Sequence, residues 1–377
     1  MTTPRDLMNR TKFQEVLDRS DLDAVIASSL ENVYYTSGAY IETQRRLRDR
    51  PVFSIVPTEG AQAIIVCDIE ESLARGQTWI DQDEVYVYIE FAQSPIELLA
   101  AVLRSKGLAD GKIGLERRHL HVAYYTELQE LLPRAGFVGF DAEFDEIRAI
   151  KTPEEIKRLA EAAIATEKAY VKAWSESREG DTEAEIARKL MDSVLELGAD
   201  SIRFLTFGSG ENNKHTHNKA SKRQVKRGDL VRCDFGAHFG PYTSDVARMA
   251  AVVEPMPDQA RLYRVIHDIE IAAIDYIKPG VRACDVFNFC AKEFSKHELS
   301  LQIPHVGHGQ LVGGGHENPI LQPYNQQELL PNMALYFELL YIDKEVDTYH
   351  VEDLVLVTDH GSRVLSNHMN TNELFII

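Results

Sequence analysis

The sequence contains little cysteine. Its 377 residues include four cysteines, none of them in a C-x-x-C pair: Cys67, Cys233, Cys284 and Cys290. So few cysteines in a chain of this length cannot form the disulfide framework of a small secreted domain. We therefore expect four reduced thiols that are buried in the protein.

Long apolar runs and a secretory signal are also missing. The longest uninterrupted aliphatic run spans residues 98–103, whereas a membrane-spanning helix needs about 20 apolar residues. Residues 1–6 lack the basic start, apolar stretch and small-residue cleavage site of a signal peptide. These absences predict a cytoplasmic protein without a membrane partner.

Basic residues are outnumbered by acidic ones. The chain has 41 lysines and arginines against 59 aspartates and glutamates, a formal charge of −18. This charge repels nucleic acid phosphates, so nucleic acid is not expected as a partner. Hydrophobic residues make up 44% of the chain and charged residues 27%, which is enough apolar surface for a packed core. The length predicts two domains.

Two helix starts open the second half of the chain. Thr152 with Glu155 forms one capping box, and Thr182 with Glu185 forms another. We predict two long helices here, the second of which ends at Gly198.

The first 150 residues show a different pattern, with short β-branched segments between helical ones. Strands are predicted at residues 23–27, 52–56, 61–66 and 85–89, and helices near 5–19 and 94–106. The predicted fold is therefore an α/β domain over residues 1–150, followed by a larger α+β domain over residues 151–377.

Two aspartates in the second domain stand on predicted neighbouring strands. Asp234 follows Gly228 in one apolar segment and Asp245 follows Gly240 in the next, with a turn predicted near 236–241. A hairpin would bring both carboxylates to one cation. The alternative is two solvated aspartates on strand surfaces.

Histidines and buried glutamates follow. A glycine-rich run carries His305, His308 and His316, and each of Glu338 and Glu352 lies within an apolar strand pattern. An ionised carboxylate without a partner is costly to bury, so both glutamates require counter-charges. A lone histidine in such a run is more often a loop residue. For His305, and for His350 two residues before Glu352, the sequence leaves both a core role and a functional role open.

Five of these residues form a ligand set that suits two divalent ions. Four carboxylates and one imidazole suit Mn²⁺ best, with Co²⁺, Zn²⁺ or Fe²⁺ as alternatives. Four carboxylates balance two dications, so a bridging water can lose a proton near pH 7 and attack an amide carbonyl. The set is Asp234, Asp245, His308, Glu338 and Glu352.

The order and spacing of these residues resemble the pita-bread metallopeptidases, which include Xaa-Pro aminopeptidase, prolidase, methionine aminopeptidase and creatinase. His217 precedes Asp234 by 17 residues (234 − 217), and Asp245 follows it by 11 (245 − 234). Further matches are Gly307-His308-Gly309, His316-Glu317-Asn318-Pro319 and Val351-Glu352-Asp353. The resemblance covers nearly the whole chain and implies a creatinase-type N-terminal domain over residues 1–150, a pita-bread catalytic domain over residues 151–377, and a homodimer.

The resemblance also implies a role for each site residue. Asp234 and Asp245 would hold the first metal and His308 and Glu338 the second, with Asp245 and Glu352 bridging them. His217 and His316 would hydrogen-bond the substrate carbonyl and stabilise its oxyanion. Glu338 would also act as the general acid-base.

Three positions depart from the family pattern. His308 and His316 are eight residues apart (316 − 308) instead of seven, Leu339-Leu340 replaces a Pro-Gly pair, and His350 replaces an arginine. The leading hypothesis is an Xaa-Pro peptidase that cleaves short peptides. The alternatives are a creatinase-like or ectoine-hydrolase-like hydrolase, or a lyase, acting on a small non-peptide substrate, and a non-catalytic binding module.

Two clusters of basic residues lie outside these motifs. Arg45, Arg46, Arg48 and Arg50 could form a solvated loop or a lid that binds a substrate carboxylate. The basic stretch over residues 214–227 is interpreted as a solvated face that balances the acidic centre.

Overall fold

A computed structural model describes residues 7–47, 50–310, 312–343 and 347–377. The chain forms two compact units, Met1–Arg148 and Ala149–Ile377. The four cysteines are free and buried, as predicted. Within the described ranges, no helix has the length and apolar character needed to cross a membrane.

The first unit is built around a six-stranded mixed sheet in the order β4-β3-β2-β1-β5-β6. The central strand β1 is buried along its whole length, antiparallel to β2 and parallel to β5. The strands are β1 (Ala24–Ala27), β2 (Phe53–Pro57), β3 (Ala63–Cys67), β4 (Val85–Tyr88), β5 (Lys112–Leu115) and β6 (Gly136–Gly139).

Helices accompany this sheet. The side chain of Ser94 caps α5 by accepting hydrogen bonds from the backbone of Ile96 and Glu97. The helices predicted near 5–19 and 94–106 correspond to α1 and α5, although residues 1–6 lie outside the described ranges. The helices are α1 (Arg10–Ser20), α2 (Leu30–Ser37), α3 (Thr43–Arg46), α4 (Glu71–Gln77), α5 (Pro95–Ser105), α6 (Val122–Leu131) and α7 (Asp141–Ala149).

Four longer helices belong to the second unit. Both predicted capping boxes are present, at Thr152 with Glu155 and at Thr182 with Glu185. Gly198 has a φ of 99° just beyond the second helix, as a terminating glycine requires. The helices are α8 (Pro153–Ser175), α9 (Glu183–Glu196), α10 (Pro257–Tyr276) and α11 (Ala283–Lys296).

Two five-stranded sheets complete this unit. One has the order β16-β10-β8-β7, with β9 paired to β8, and the other has the order β12-β11-β13-β14-β15. Their strands are β7 (Ser201–Ser209), β8 (Leu230–Phe239), β9 (Tyr242–Thr243), β10 (Val246–Ala251), β11 (Gly307–Gln310), β12 (His316–Glu317), β13 (Ala334–Ile342), β14 (Thr348–Val357), β15 (Ser362–Val364) and β16 (Phe375–Ile376).

A buried arginine ties the two sheets together. Arg248 on β10 donates to the backbone carbonyl of Glu352 on β14, and to the carboxylates of Glu167 and Asp353 at 2.6 and 2.7 Å. An apolar core beside it joins α10 and α11 to strands of both sheets, including Leu230, Leu335 and Val355.

Candidate metal centre

The predicted hairpin is present, and it carries both aspartates. Asp234 lies on β8 opposite Ala247 of β10, and Asp245 immediately precedes β10. β8 continues through Gly236 to Phe239 before the turn. A Cβ on Gly236 would lie 2.6 Å from the carbonyl oxygen of Ser244, so the close strand contact requires glycine there.

These aspartates are not solvated strand residues. Asp245 is 5% exposed, and the Oδ1 atom of Asp234 is buried without a hydrogen-bond partner among the described residues. An unsatisfied buried carboxylate oxygen indicates a missing cation or donor.

The second sheet supplies the other three predicted ligands. Glu338 on β13 lies directly opposite Glu352 on β14, so their side chains emerge on one face. His308 on β11 lies opposite Tyr336 of β13. Its Nδ1 atom is 2.9 Å from the carbonyl oxygen of Gly309, which favours the tautomer whose Nε2 lone pair can bind a metal.

All these side chains meet in one cavity of about 540 Å³. Asp245, His308 and Glu352 each place a ligand atom within 4.8 Å of the others, close enough to hold a single ion. Asp234 and Glu338 line the same cavity, and so do the two histidines predicted to contact substrate, His217 and His316. The roles of the seven residues stay predictions.

Crowded carboxylates dominate the electrostatics of this cavity. Burial and the nearby charges of Asp245 and Glu338 raise the pKa of Asp234 well above its usual range. Burial and the charges of Asp245, Asp234 and Glu338 do the same for the pKa of Glu352. Divalent cations would relieve this repulsion, so the donor set fits hard metal ions.

Glu338 lies between the two histidines whose role the sequence left open. His350 Nε2 lies 3.0 Å from Oε2 of Glu338, and His305 Nδ1 lies 3.3 Å from Oε1. Burial raises the pKa of Glu338, but the hydrogen bond and charge of His350, with the charges of His308 and His305, outweigh it and lower the pKa to about 2. His305 and His350 therefore belong to the cavity.

His316 stacks on His308, with ring centroids 4.0 Å apart. It follows a glycine run whose residues 313–315 have φ values of 82°, 92° and 136°, a left-handed conformation that favours glycine. This loop corresponds to the longer spacing in the sequence, and Leu311 within it lies outside the described residues.

Leu339 and Leu340, which replace the Pro-Gly pair of the family pattern, lie within strand β13. Leu339 is fully buried in the core, and Leu340 lines the cavity with Ile303 and Ile342. Because β13 runs on to Ile342, these residues form an apolar wall beside the carboxylates.

Arg203 is a cavity residue that the sequence did not predict. Its Nη1 atom lies 2.7 Å from Oδ2 of Asp245, and its guanidinium lines the cavity. A charged residue within the apolar strand pattern of β7 was the available signal, but only the fold brings it to a carboxylate 42 positions away.

The two basic clusters of the sequence, the arginines at residues 45–50 and the stretch over residues 214–227, differ in how exposed their residues are. Arg50 is neither solvated nor free to bind a substrate, because it pairs with Glu70 and Glu90 at 3.1 and 2.7 Å and is 13% exposed. Arg45 and Arg46 are exposed, while Arg48 lies outside the described residues. In the stretch over residues 214–227 the lysines and Arg227 are exposed, as predicted. Arg223 is not part of a solvated face, because it is 11% exposed and pairs with Glu211 and Asp229, each at 2.6 Å.

Two family models match the chain. The model of metallopeptidase family M24 matches residues 157–359, more than half of the chain. The chain belongs to metallopeptidase family M24. The model of the creatinase/prolidase N-terminal domain matches residues 10–150. This M24 member therefore has a creatinase-like N-terminal domain followed by a pita-bread catalytic domain, which confirms the predicted fold class.

Relatives match over nearly the full length. An Xaa-Pro dipeptidase of Pyrococcus horikoshii is 28% identical over 369 residues, which cover 96% of this chain and 98% of the relative. The solved prolidase of Pyrococcus horikoshii has a TM-score of 0.82 at 26% identity and covers 96% of this chain and 98% of its own. The prolidase of Thermococcus sibiricus, at 23% identity, has a TM-score of 0.85 and covers 98% of each chain.

Membership of M24 makes the chain a metal-dependent hydrolase. The alternative of a non-catalytic binding module is therefore set aside.

Proposed function

We propose that this M24 member is an Xaa-Pro peptidase that cleaves short peptides with two divalent ions. One observation carries the proposal: all five predicted ligands line one cavity. Three of them, Asp245, His308 and Glu352, each place a ligand atom within 4.8 Å of the others. The name of the Pyrococcus horikoshii relative, an Xaa-Pro dipeptidase, supports the choice of substrate.

The proposed ligands are Asp234, Asp245, His308, Glu338 and Glu352. Asp245 and Glu352 would serve both ions, Asp234 the first, and His308 with Glu338 the second. When bound, the ions would supply Lewis-acid activation of the scissile carbonyl and of the attacking water. Mn²⁺ is the proposed metal because oxygen donors predominate.

The protein's own groups would complete the reaction. His217 and His316 line the cavity and would donate hydrogen bonds to the substrate carbonyl oxygen as negative charge develops there. Glu338 would carry the proton to the leaving nitrogen. His305 and His350, on either side of Glu338, would fix the direction of its carboxylate.

The organisation of the protein is part of the proposal. Residues 1–150 would serve as the accessory domain and residues 151–377 as the catalytic domain. The matched ranges of the two family models, 10–150 and 157–359, support this division. We also propose a homodimer that works in the cytoplasm.

A small non-peptide amide is the second candidate substrate. It is favoured by the two departures that reach the cavity, the apolar Leu340 and His350 in place of an arginine. These residues change the lining of the cavity without changing the proposed ligands.

Kinetics on matched substrates would test the proposal. We expect the Mn²⁺-loaded protein to cleave an Xaa-Pro peptide with a kcat/KM at least tenfold above that for the Xaa-Ala analogue, a difference of about 1.4 kcal/mol in transition-state binding. Glu352→Gln is the inactive control. If neither peptide were cleaved while a small amide was, the second candidate would replace the first.

A further inference from the structure

His217 depends on its backbone for its position in the cavity. It lies in the segment between β7 and β8, and its side chain is exposed. Among the described residues, no group forms a hydrogen bond with its imidazole. The direction of the imidazole, which lines the cavity, is therefore set by the backbone that carries it.

That backbone forms a tight turn. The amide of Asn218 donates to the carbonyl oxygen of His215 at 3.1 Å, which closes a turn over residues 215–218. The carbonyl oxygen of Asn218 accepts a hydrogen bond from the amide of Phe207 on β7 at 2.9 Å. The turn that carries His217 is thus attached to the sheet at its end.

Arg232 reaches this turn from the neighbouring strand. It lies on β8 two residues before Asp234, so both side chains emerge on the cavity face of the sheet. Opposite Arg232 on β7 is Gly208, where a Cβ would lie 2.9 Å from the carbonyl oxygen of Asn212. The segment before the turn therefore packs directly on the sheet beside Arg232.

The guanidinium of Arg232 binds two carbonyl oxygens of the turn. Its Nη2 atom donates to those of His215 and Thr216 at 2.9 and 2.6 Å, the two residues directly before His217. Its Nη1 atom lies 3.4 Å from Oγ1 of Thr206, and Nε has no hydrogen-bond partner among the described residues. The turn is thus the main hydrogen-bonding partner of this side chain.

Burying this arginine is costly. Arg232 is 1% exposed, and burial lowers its pKa against the opposing charge of Asp234. Arg248 is buried with the carboxylates of Glu167 and Asp353 as partners, whereas within the described part of the chain Arg232 has backbone carbonyls in their place. An apolar residue would fill an interior strand position at lower cost, so the contacts with the turn are what the arginine supplies.

We propose that Arg232 is the positioning residue of His217, because it fixes the turn that directs the imidazole at the substrate carbonyl. This inference rests on the proposed peptidase function, in which His217 donates to the developing oxyanion. Such a donor must be in place before the charge develops, and a displacement of about 1 Å can lower a rate by about 10²-fold. Arg232 acts through His217 and contacts neither substrate nor metal.

A double-mutant cycle tests this dependence. With the Mn²⁺-loaded protein and an Xaa-Pro peptide, Arg232→Met should lower kcat by about 10- to 100-fold and leave KM within about threefold, because the contact of His217 strengthens in the transition state. In the His217→Ala background the same substitution should lower kcat by less than about threefold, since the histidine that Arg232 positions is already gone. A general structural effect would be equal in both backgrounds.

Two further variants and a metal assay complete the cycle. Arg232→Lys should retain part of the wild-type kcat, because an ammonium group can still donate to one of the two carbonyls. Arg50→Met is the matched control: it removes an arginine that is 13% exposed from the other unit and should keep kcat within about threefold. Elemental analysis should find the same metal content in Arg232→Met as in the wild type.

Hydrogen exchange reports on the turn without turnover. The amides of His215 and Asn218 are hydrogen-bonded to carbonyls of the same segment. Peptides that cover residues 212–218 should therefore exchange about tenfold faster or more in Arg232→Met than in the wild type or in Arg50→Met. If Arg232→Met does not fold, Arg232→Lys takes its place in both measurements, with smaller changes in the same direction.

The outcomes separate the two proposals. An unchanged kcat in Arg232→Met, an equal loss in both backgrounds, unchanged exchange over residues 212–218, or a loss of metal would each overturn the inference and leave the peptidase function intact. Cleavage of no peptide by the loaded wild type would overturn the peptidase function and, with it, the inference.

Discussion

Glu338 and Glu352 lie directly opposite each other on β13 and β14, so two carboxylates emerge side by side into one cavity. Like charges in this position destabilise a sheet unless a cation joins them. Asp234 and Asp245 reach the same cavity from the other sheet. The fold thus brings together four acidic groups whose repulsion only a strong counter-charge can offset.

The two aspartates should differ in their effect on metal content. Asp245→Ala should remove both ions, because a bridging carboxylate serves both, whereas Asp234→Ala should mainly weaken one. Elemental analysis of the purified variants measures this directly. Two ions per chain with near-native affinity in Asp245→Ala would show that the bridging assignment is wrong.

The cavity histidines should affect turnover without affecting the metals. His316→Ala should lower kcat by about 10² to 10³, the usual cost of one oxyanion donor, while the metal content stays unchanged. His217→Ala should behave in the same way. Loss of metal in either variant would mark that histidine as a ligand instead.

Glu155 should make stability depend on pH. It is 1% exposed, and burial raises its pKa from 4.5 to about 7 despite the opposing charge of Lys151. The folded state therefore holds a proton that the unfolded state releases, and stability falls as the pH rises from about 4.5 to 7. The expected loss is about 3 kcal/mol.

Glu155→Gln tests this dependence, since glutamine can also complete the capping box with Thr152. The free energy of unfolding of the wild type, relative to the variant, should fall by about 3 kcal/mol across that window. Denaturant unfolding at pH 4.5 and 7.5 provides the comparison. Parallel pH dependence of the two proteins would rule out this role for Glu155.

The buried arginine between the sheets should matter for stability. Arg248→Met leaves the carboxylates of Glu167 and Asp353 buried without their partner, which should cost about 3 to 5 kcal/mol. Arg227→Met, which removes an exposed pair with Glu254, should cost less than about 1 kcal/mol. Equal unfolding midpoints for the two variants would contradict this account.

Local signals in the sequence predicted much of this structure. Capping boxes at Thr152 and Thr182 need only residues within one helical turn, so both helices begin where predicted. Strands β5 and β6 were not predicted, because each is four residues long and contains glycine, which weakens a strand signal.

Contacts between distant residues could not be predicted in the same way. The hairpin of Asp234 and Asp245 closes over a few residues and could be predicted from its turn. The pairing of Arg203 with Asp245 depends on a bulge in β7, and the contact of His305 with Glu338 joins a loop to a strand. Neither contact leaves a pattern in the local sequence.

The central claim is that the five predicted ligands hold two metal ions, and anomalous diffraction from crystals grown with Mn²⁺ tests it most directly. We expect two peaks in the cavity, one beside Asp234 and one beside His308, with Asp245 and Glu352 contacting both. Fully loaded crystals that showed a single ion, or ions bound away from these five side chains, would contradict the claim.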